Sequence, residues 1–168
     1  MNRLIFKSDS YEVEENETNE IIVKDLIPQS ASVVVMVEGK LALVRQYREP
    51  VEEETWELPG GTIMPSEELE TAAQRELQEE TGLRCGEFVY LGQIYPYANL
   101  VNRSVHLFFT DDVKRLGSQE TEEGENVRVE YYSLKEVSRR ICDGTWRDST
   151  LAHALLLCQL RGLIDLDE

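Results

Sequence analysis

GTIMPSEELETAAQRELQEETGL, residues Gly61 to Leu83, decides how this chain is read. Its spacing is G-x5-E-x7-R-E-U-x-E-E-x-G-U, where U is a bulky aliphatic residue. The positions are filled by Gly61, Glu67, Arg75, Glu76, Leu77, Glu79, Glu80, Gly82 and Leu83. Pro65 and Ser66 break the preceding segment, and Ser66 is read as a helix N-cap. Glu67 and Glu68 then fall in a first turn, where carboxylates meet the positive end of the helix dipole. Leu69, Ala72, Ala73 and Leu77 recur at helical spacing as a narrow apolar face, and Gly82 supplies the left-handed residue that ends the helix after about four turns. Glu76, Glu79 and Glu80 then project from adjoining faces of the last turns. Like charges so placed repel, and the cluster costs stability unless a cation neutralises it. A hard divalent ion such as Mg2+ prefers several oxygen ligands of this kind. The competing reading is a solvated acidic face, the usual meaning of a charge run. Arg75 can pair with Glu79 four residues on and fix its carboxylate beside a metal, or it can be an ordinary surface ion pair.

The chain has 168 residues, enough for one well-buried core and too few for two ordinary domains. Its 33 acidic and 17 basic side chains give a net charge of −16, which argues against a nucleic-acid backbone or an anionic membrane as partner. An anionic substrate in so acidic a protein needs bound cations to invert the local field. The N-terminal stretch MNRLIFKSDSYEVEENE lacks the apolar run of a signal peptide, and no segment approaches the roughly twenty apolar residues that cross a bilayer, so a cytoplasmic protein is expected. Cys85, Cys142 and Cys158 form no C-x-x-C pair and read as reduced thiols without chemistry, Cys158 packing in a helix.

Around the acidic helix the pattern predicts a mixed sheet with helices packed on it. Ser32–Val37 and Leu41–Gln46 read as a hairpin through Glu38-Gly39-Lys40. Phe88–Tyr95, Ser104–Thr110 and Val127–Tyr132 read as further strands. Leu134–Cys142 and Ser149–Leu160 read as helices broken at Asp143-Gly144, with Leu151, Leu155 and Cys158 on one face of the second. His106 and His153 read as packing residues. Residues 1–30 carry Glu12, Glu14, Glu15, Glu17 and Glu20 among apolar positions and read either as a small N-terminal β segment or as an acidic arm; residues 31–168 form the main domain.

The spacing of Gly61–Leu83 is the signature box of the Nudix hydrolases, and the chain resembles that family. Arg45-Gln46-Tyr47-Arg48 and Trp56-Glu57-Leu58-Pro59-Gly60-Gly61 are similar to the lead-in of its ADP-ribose and nucleoside-diphosphate-sugar pyrophosphatases. The resemblance implies an α/β fold, an α/β/α sandwich with a mixed sheet. It also implies Mg2+-dependent hydrolysis of a nucleoside diphosphate linked to another moiety, most of all ADP-ribose, with Mn2+ as a substitute ion. By position it implies metal ligands at the Gly60 carbonyl, Glu76, Glu79 and Glu80, a phosphate contact at Arg48, and structural box positions at Gly61, Glu67, Arg75 and Gly82. The other reading of Arg48 is a rim ion pair with Glu49 or Glu52 to Glu54. Arg45 and Glu57 are further substrate-binding candidates. Trp56 can stack on a base or belong to the core. Tyr97 and Asn99, in the loop where Pro96 is not followed by the glycine that many ADP-ribose enzymes carry there, contact substrate or shape a turn.

With the box carboxylates on metal, a catalytic base must come from elsewhere. The acidic loop Glu120–Glu125 supplies the candidates, and related enzymes carry their water-activating glutamate there. Glu125 stands two residues before a strand, Glu123 is the alternate, Glu79 is a further catalytic candidate, and a solvated loop is the competing reading. The resemblance also implies a homodimer whose N-terminal segments cross over, with Phe6 or Tyr11 against the adenine; a monomer with the arm on its own sheet is the alternative. Other nucleotide-sugar substrates (ADP-glucose, GDP-mannose), a house-cleaning hydrolase of nucleoside triphosphates and a non-catalytic nucleotide-sensing module are the competing functions. Arg48 and Trp56–Pro59 weigh against the triphosphate reading, and the intact Arg75–Glu80 run against the sensor, which has no physical need for a like-charged cluster.

Overall fold

The structure is a computed structural model that describes residues 2–116 and 127–167. Arg3–Lys7 (β1), Tyr11–Glu15 (β2) and Ile21–Asp25 (β3) form a separate antiparallel sheet. Gln29–Val37 (β4) and Lys40–Arg48 (β5) make the expected hairpin, and its turn needs Glu38 and Gly39 at φ 51° and 77°. Then come Glu53–Glu57 (β6), Gly60–Thr62 (β7), the helix Leu69–Thr81 (α1), Leu83–Cys85 (β8), Val89–Ile94 (β9), Ser104–Thr110 (β10), Val113–Leu116 (β11) and Arg128–Tyr132 (β12). The helices Leu134–Cys142 (α2) and Ser149–Leu160 (α3) follow. The central sheet runs β12-β5-β4-β10-β9, with β6 added to β5 and β7 to β4. The β4–β10 pair is parallel and β4–β5 antiparallel, so the sheet is mixed, as expected.

Side chains alternate across a strand, and on β4 this divides the core in two. Val34 joins Leu41, Leu43 and Leu107 against Leu134, Val137, Leu151 and Leu155 of α2 and α3. Val33 and Val35 join Ala42 and Phe108 against Ala72, Ala73 and Leu77 of α1. Helices therefore cover both faces, and the α/β/α sandwich follows from that alternation. Each fully buried aliphatic side chain contributes about 1.5–3 kcal/mol. Ser133 caps α2 by accepting from Glu136 N at 3.2 Å, and Asp148 caps α3 by accepting from Leu151 N at 2.6 Å.

Two expectations are corrected. Helix α1 starts at Leu69 with Glu68 at its N-cap, and Ser66 lies in the left-handed region at φ 69°. The reason is Glu67, whose carboxylate accepts from Met64 N at 2.9 Å and from Arg75, so the chain turns sharply before the helix begins. His153 is exposed on α3 and packs no core. Strand β3 ends at Asp25 and β4 begins at Gln29, so residues 26–28 join the N-terminal sheet to the central one.

The N-terminal sheet is pinned to the β9–β10 connection. Val23 N donates to Leu100 O at 2.8 Å, Asp25 N to Asn102 Oδ1 at 2.7 Å, and Arg103 Nε to the buried Asp25 carboxylate at 2.7 Å. Its outer strand leaves Leu4, Ile5 and Phe6 exposed. Among the described residues no helix is long and apolar enough to cross a membrane.

Candidate active site

The site is built where the C-terminal half of α1 meets the Gly60–Gly61 turn. Gly60 N donates to Glu80 Oε2 at 2.7 Å, and Glu80 is only 6% exposed. The Glu76 carboxylate lies against the Gly61 α-carbon, where an added Cβ would stand 2.3 Å from Glu76 Oε2. At Gly60, φ is 158° and an added Cβ would fall 2.1 Å from the Ala31 carbonyl oxygen of β4. Both glycines are thus demanded by close approach, Gly60 to backbone and Gly61 to a carboxylate.

Arg75 ties this end together. Its Nε and Nη2 bind the two Glu67 oxygens at 2.9 and 3.0 Å, its Nη1 donates to Glu76 Oε1 at 2.7 Å and Glu79 Oε2 at 3.0 Å, and Nη2 also reaches Thr62 O at 2.9 Å. The expected pair with Glu79 is present, as one of several contacts. With the arginine drawing on Glu76 and Glu79, no three His, Cys, Asp or Glu side chains among the described residues enclose a common point.

From this end a cleft of about 1110 Å³ runs between the β5–β6 hairpin, β7 and the α2–α3 loop. Arg48 and Glu57 face each other along it, with Nε to Oε1 at 2.8 Å and Nη2 to Oε2 at 2.6 Å. The rim partner of Arg48 is therefore Glu57 and none of Glu49 or Glu52 to Glu54. Burial works against the Glu57 charge, but the hydrogen bonds from Arg48 and Thr55 outweigh it and hold the carboxyl below its usual range. Burial pushes the neighbouring Asp148 carboxyl up, and the charge of Glu57 adds to that.

Trp56 lines the cleft while stacking on Trp146 at 5.6 Å and 20° and donating to Glu130 Oε2 at 2.8 Å. It is both wall and core. Arg45 lies outside the lining; its guanidinium sits 5.1 Å from the Trp56 ring centroid and pairs with Glu54 and Glu130, so it supports the wall from behind. Tyr97 lines the cleft and is exposed, whereas Asn99 does not line it. Glu123 and Glu125 lie outside the described residues.

The sequence reading missed Arg103 and the wall formed by residues 145–150, which are the end of the α2–α3 loop and the first residues of α3. Asp148-Ser149-Thr150 ahead of an apolar run is a legible N-cap signal, but nothing local shows that the loop folds back onto β6.

Fold and comparisons together place the chain among hydrolases acting on phosphorus anhydrides. A model of the NUDIX domain matches residues 27–154. The chain belongs to the Nudix family. It is 28% identical over 142 residues to an ADP-ribose pyrophosphatase of Bacillus subtilis (strain 168), covering 82% of this chain and 77% of the relative. It is 34% identical over 113 residues to a MutT-like protein of Streptomyces ambofaciens, covering 67% and 68%. A solved ADP compounds hydrolase superposes with a TM-score of 0.79 over 97% of this chain and 93% of the other at 19% identity, which shows the shared fold.

Proposed function

We propose that this protein hydrolyses the diphosphate bond of a nucleoside diphosphate sugar, with ADP-ribose giving AMP and ribose 5-phosphate. The observation that carries the reading is the drawing together of Glu76 and Glu80 on the Gly60–Gly61 turn, at the head of a cleft that also holds Arg48 and Trp56. The relative named ADP-ribose pyrophosphatase supports the choice of sugar.

The donors assigned to the ion, from Glu76, Glu79, Glu80 and the Gly60 carbonyl, are all hard oxygens, the chemical type that Mg2+ prefers, with Mn2+ as substitute. When bound there, the ion supplies charge neutralisation on the diphosphate and lowers the pKa of a bound water. The protein's own residues do the rest. Arg75 holds Glu76 and Glu79, Gly60 N holds Glu80, and Arg48, whose Nε and Nη2 stand on Glu57, carries a planar fork of the kind that suits a phosphate. Water adds to one phosphorus, the anhydride P–O bond breaks with its electrons leaving on the departing phosphate, and Glu125 takes the proton, with Glu123 as alternate. A phosphatase-coupled screen tests the substrate, because AMP and ribose 5-phosphate release phosphate and intact ADP-ribose does not. Release above the blank with phosphatase alone is expected from ADP-ribose more than from ADP-glucose, GDP-mannose, diadenosine polyphosphates and nucleoside triphosphates; release above that blank from triphosphates and from no nucleotide sugar refutes the reading.

The base has its own test. Glu125→Gln is expected to lower kcat at least about 30-fold with KM within a few-fold, the pattern of an interaction made in the transition state, and Glu123→Gln to do less. Two variants running at the wild-type rate place the base elsewhere.

We further propose a homodimer joined through the N-terminal sheet. The exposed Leu4, Ile5 and Phe6 of the outer strand leave apolar surface that a twofold partner would cover. Removing residues 1–24 spares Asp25, which Arg103 needs. Light scattering is expected to show a dimeric full-length protein and a monomeric truncation; a monomeric full-length protein, or a truncation that stays dimeric, rules the arrangement out.

A further inference from the structure

Four arginines line the cleft, and each is held by a carboxylate of this same chain: Arg75 by Glu67, Arg48 by Glu57, Arg103 by Asp25 and Arg147 by Glu53. An anionic ligand that takes an arginine contact in a protein of net charge −16 draws that arginine from its own carboxylate, and the pairs differ in what that costs. Glu67, Glu57 and Asp25 are 14%, 19% and 4% exposed, so separating any of them from its arginine strands a sheltered charge. Arg147 and Glu53 are 68% and 52% exposed, and water compensates both when they part.

The backbone that carries Arg147 is fixed on both sides. Trp146 before it is buried, with its N–H on Arg140 O at 2.9 Å and its ring stacked on Trp56 and edge-on to Tyr132. Asp148 after it is the N-cap of α3. A guanidinium on an anchored backbone, projecting from the wall opposite β6, loses little freedom when it grips a ligand. Its partner Glu53 stands at the start of β6, 94 residues away in sequence, so the ion pair joins the two walls of the cleft.

We propose that Arg147 is a phosphate-gripping residue of the cleft and that Glu53 is its internal competitor, displaced from the guanidinium when a nucleoside diphosphate enters. The assignment rests on the reading of the cleft as a nucleotide-diphosphate site. It adds a contact from the α2–α3 loop and a carboxylate whose presence weakens binding.

The two roles open to this pair, competitor or strap, predict opposite signs. Titration calorimetry with ADP as the probe, which reads binding and not turnover, is run on wild type, Arg147→Gln, Glu53→Gln and the double variant. Losing a charge-assisted phosphate contact is expected to weaken ADP about tenfold in Arg147→Gln. Removing the competing carboxylate is expected to tighten ADP about threefold in Glu53→Gln. In the double variant Glu53→Gln should add nothing to the effect of Arg147→Gln, and Arg147→Lys should fall between wild type and Arg147→Gln. If the pair merely straps the walls together, both single variants weaken ADP alike, and the proposal fails. It fails equally if ADP binding ignores Arg147→Gln, or if the wild type does not bind ADP. Thermal melting of each variant confirms that these exposed substitutions leave the fold in place. A protein that turns over no nucleotide sugar overturns the proposed activity while leaving this pattern of ADP affinities to be judged by itself.

Discussion

Glu80→Gln is expected to lower kcat by more than about 100-fold and to leave the protein folded. The two halves of that expectation come from the two things Glu80 does. Its Oε2 accepts from Gly60 N at 2.7 Å, and a glutamine amide oxygen can accept the same hydrogen bond, so the turn keeps its tie to α1. The negative charge goes, and with it the hard anionic ligand that the proposed reaction assigns to Glu80, which is only 6% exposed. Charge also leaves the side of Arg48 that faces Glu80, so any change in KM is expected to be small beside the loss of rate. EDTA should abolish wild-type activity and Mg2+ restore it. Full activity in Glu80→Gln, or turnover that survives chelation, removes Glu80 from the metal site.

The adjacent glycines should respond in opposite ways to the same alanine. At Gly60 the new methyl falls 2.1 Å from Ala31 O and 2.8 Å from Ser32 Cα, backbone atoms of a central strand that cannot yield cheaply. Gly60→Ala is expected to cost about 3 kcal/mol or more and to lower Tm by roughly 10 °C. At Gly61 the atoms nearest the methyl are those of the Glu76 carboxylate, 2.3 Å away at Oε2, which is the far end of a flexible side chain. Gly61→Ala is expected to melt within a few degrees of wild type and to lose activity about 50-fold, because the carboxylate is pushed off its position and away from Arg75. Differential scanning calorimetry beside an ADP-ribose assay separates the two. A Gly61→Ala protein with near-normal turnover would show that the seat of Glu76 does not matter to the chemistry.

The fold was legible in the sequence wherever local pattern and tertiary burial agree. The β4–β5 hairpin, β10, α2 and α3 carry β-branched or apolar periodicity that survives into the core, and their boundaries came within a few residues. Strand β6 was not legible because Glu-Glu-Thr-Trp-Glu has little intrinsic strand preference and is strand only by pairing with β5. Strand β7 is three residues, two of them glycine, held by β4. The helix start was misplaced because Ser66 looks like a cap, while the competing contacts of Glu67 involve Arg75 eight residues on, beyond the span of a capping motif.

At the site, Glu76, Glu79, Glu80, Arg75 and the two glycines were readable because one helix and one turn hold them all. Glu57 is legible as part of the lead-in, but its hold on Arg48 is a cross-strand pair between β5 and β6, and β6 carries no strand signal of its own. The wall formed by Thr145–Thr150 depends on where α2 and α3 pack, which no local spacing encodes.

Trp56 and Trp146 are the two tryptophans of the chain, and they stack on each other in the wall of the cleft. Indole emission from this protein therefore originates at one place. It comes from a pair that stands beside Arg147 and Glu57 and borders the space a ligand must fill. The molecule carries its own optical probe, so occupancy of the cleft can be followed in real time by intrinsic fluorescence on unlabelled protein. Tyrosine-to-tryptophan energy transfer from Tyr132, edge-on to Trp146 at 4.8 Å, adds a second channel for the same event.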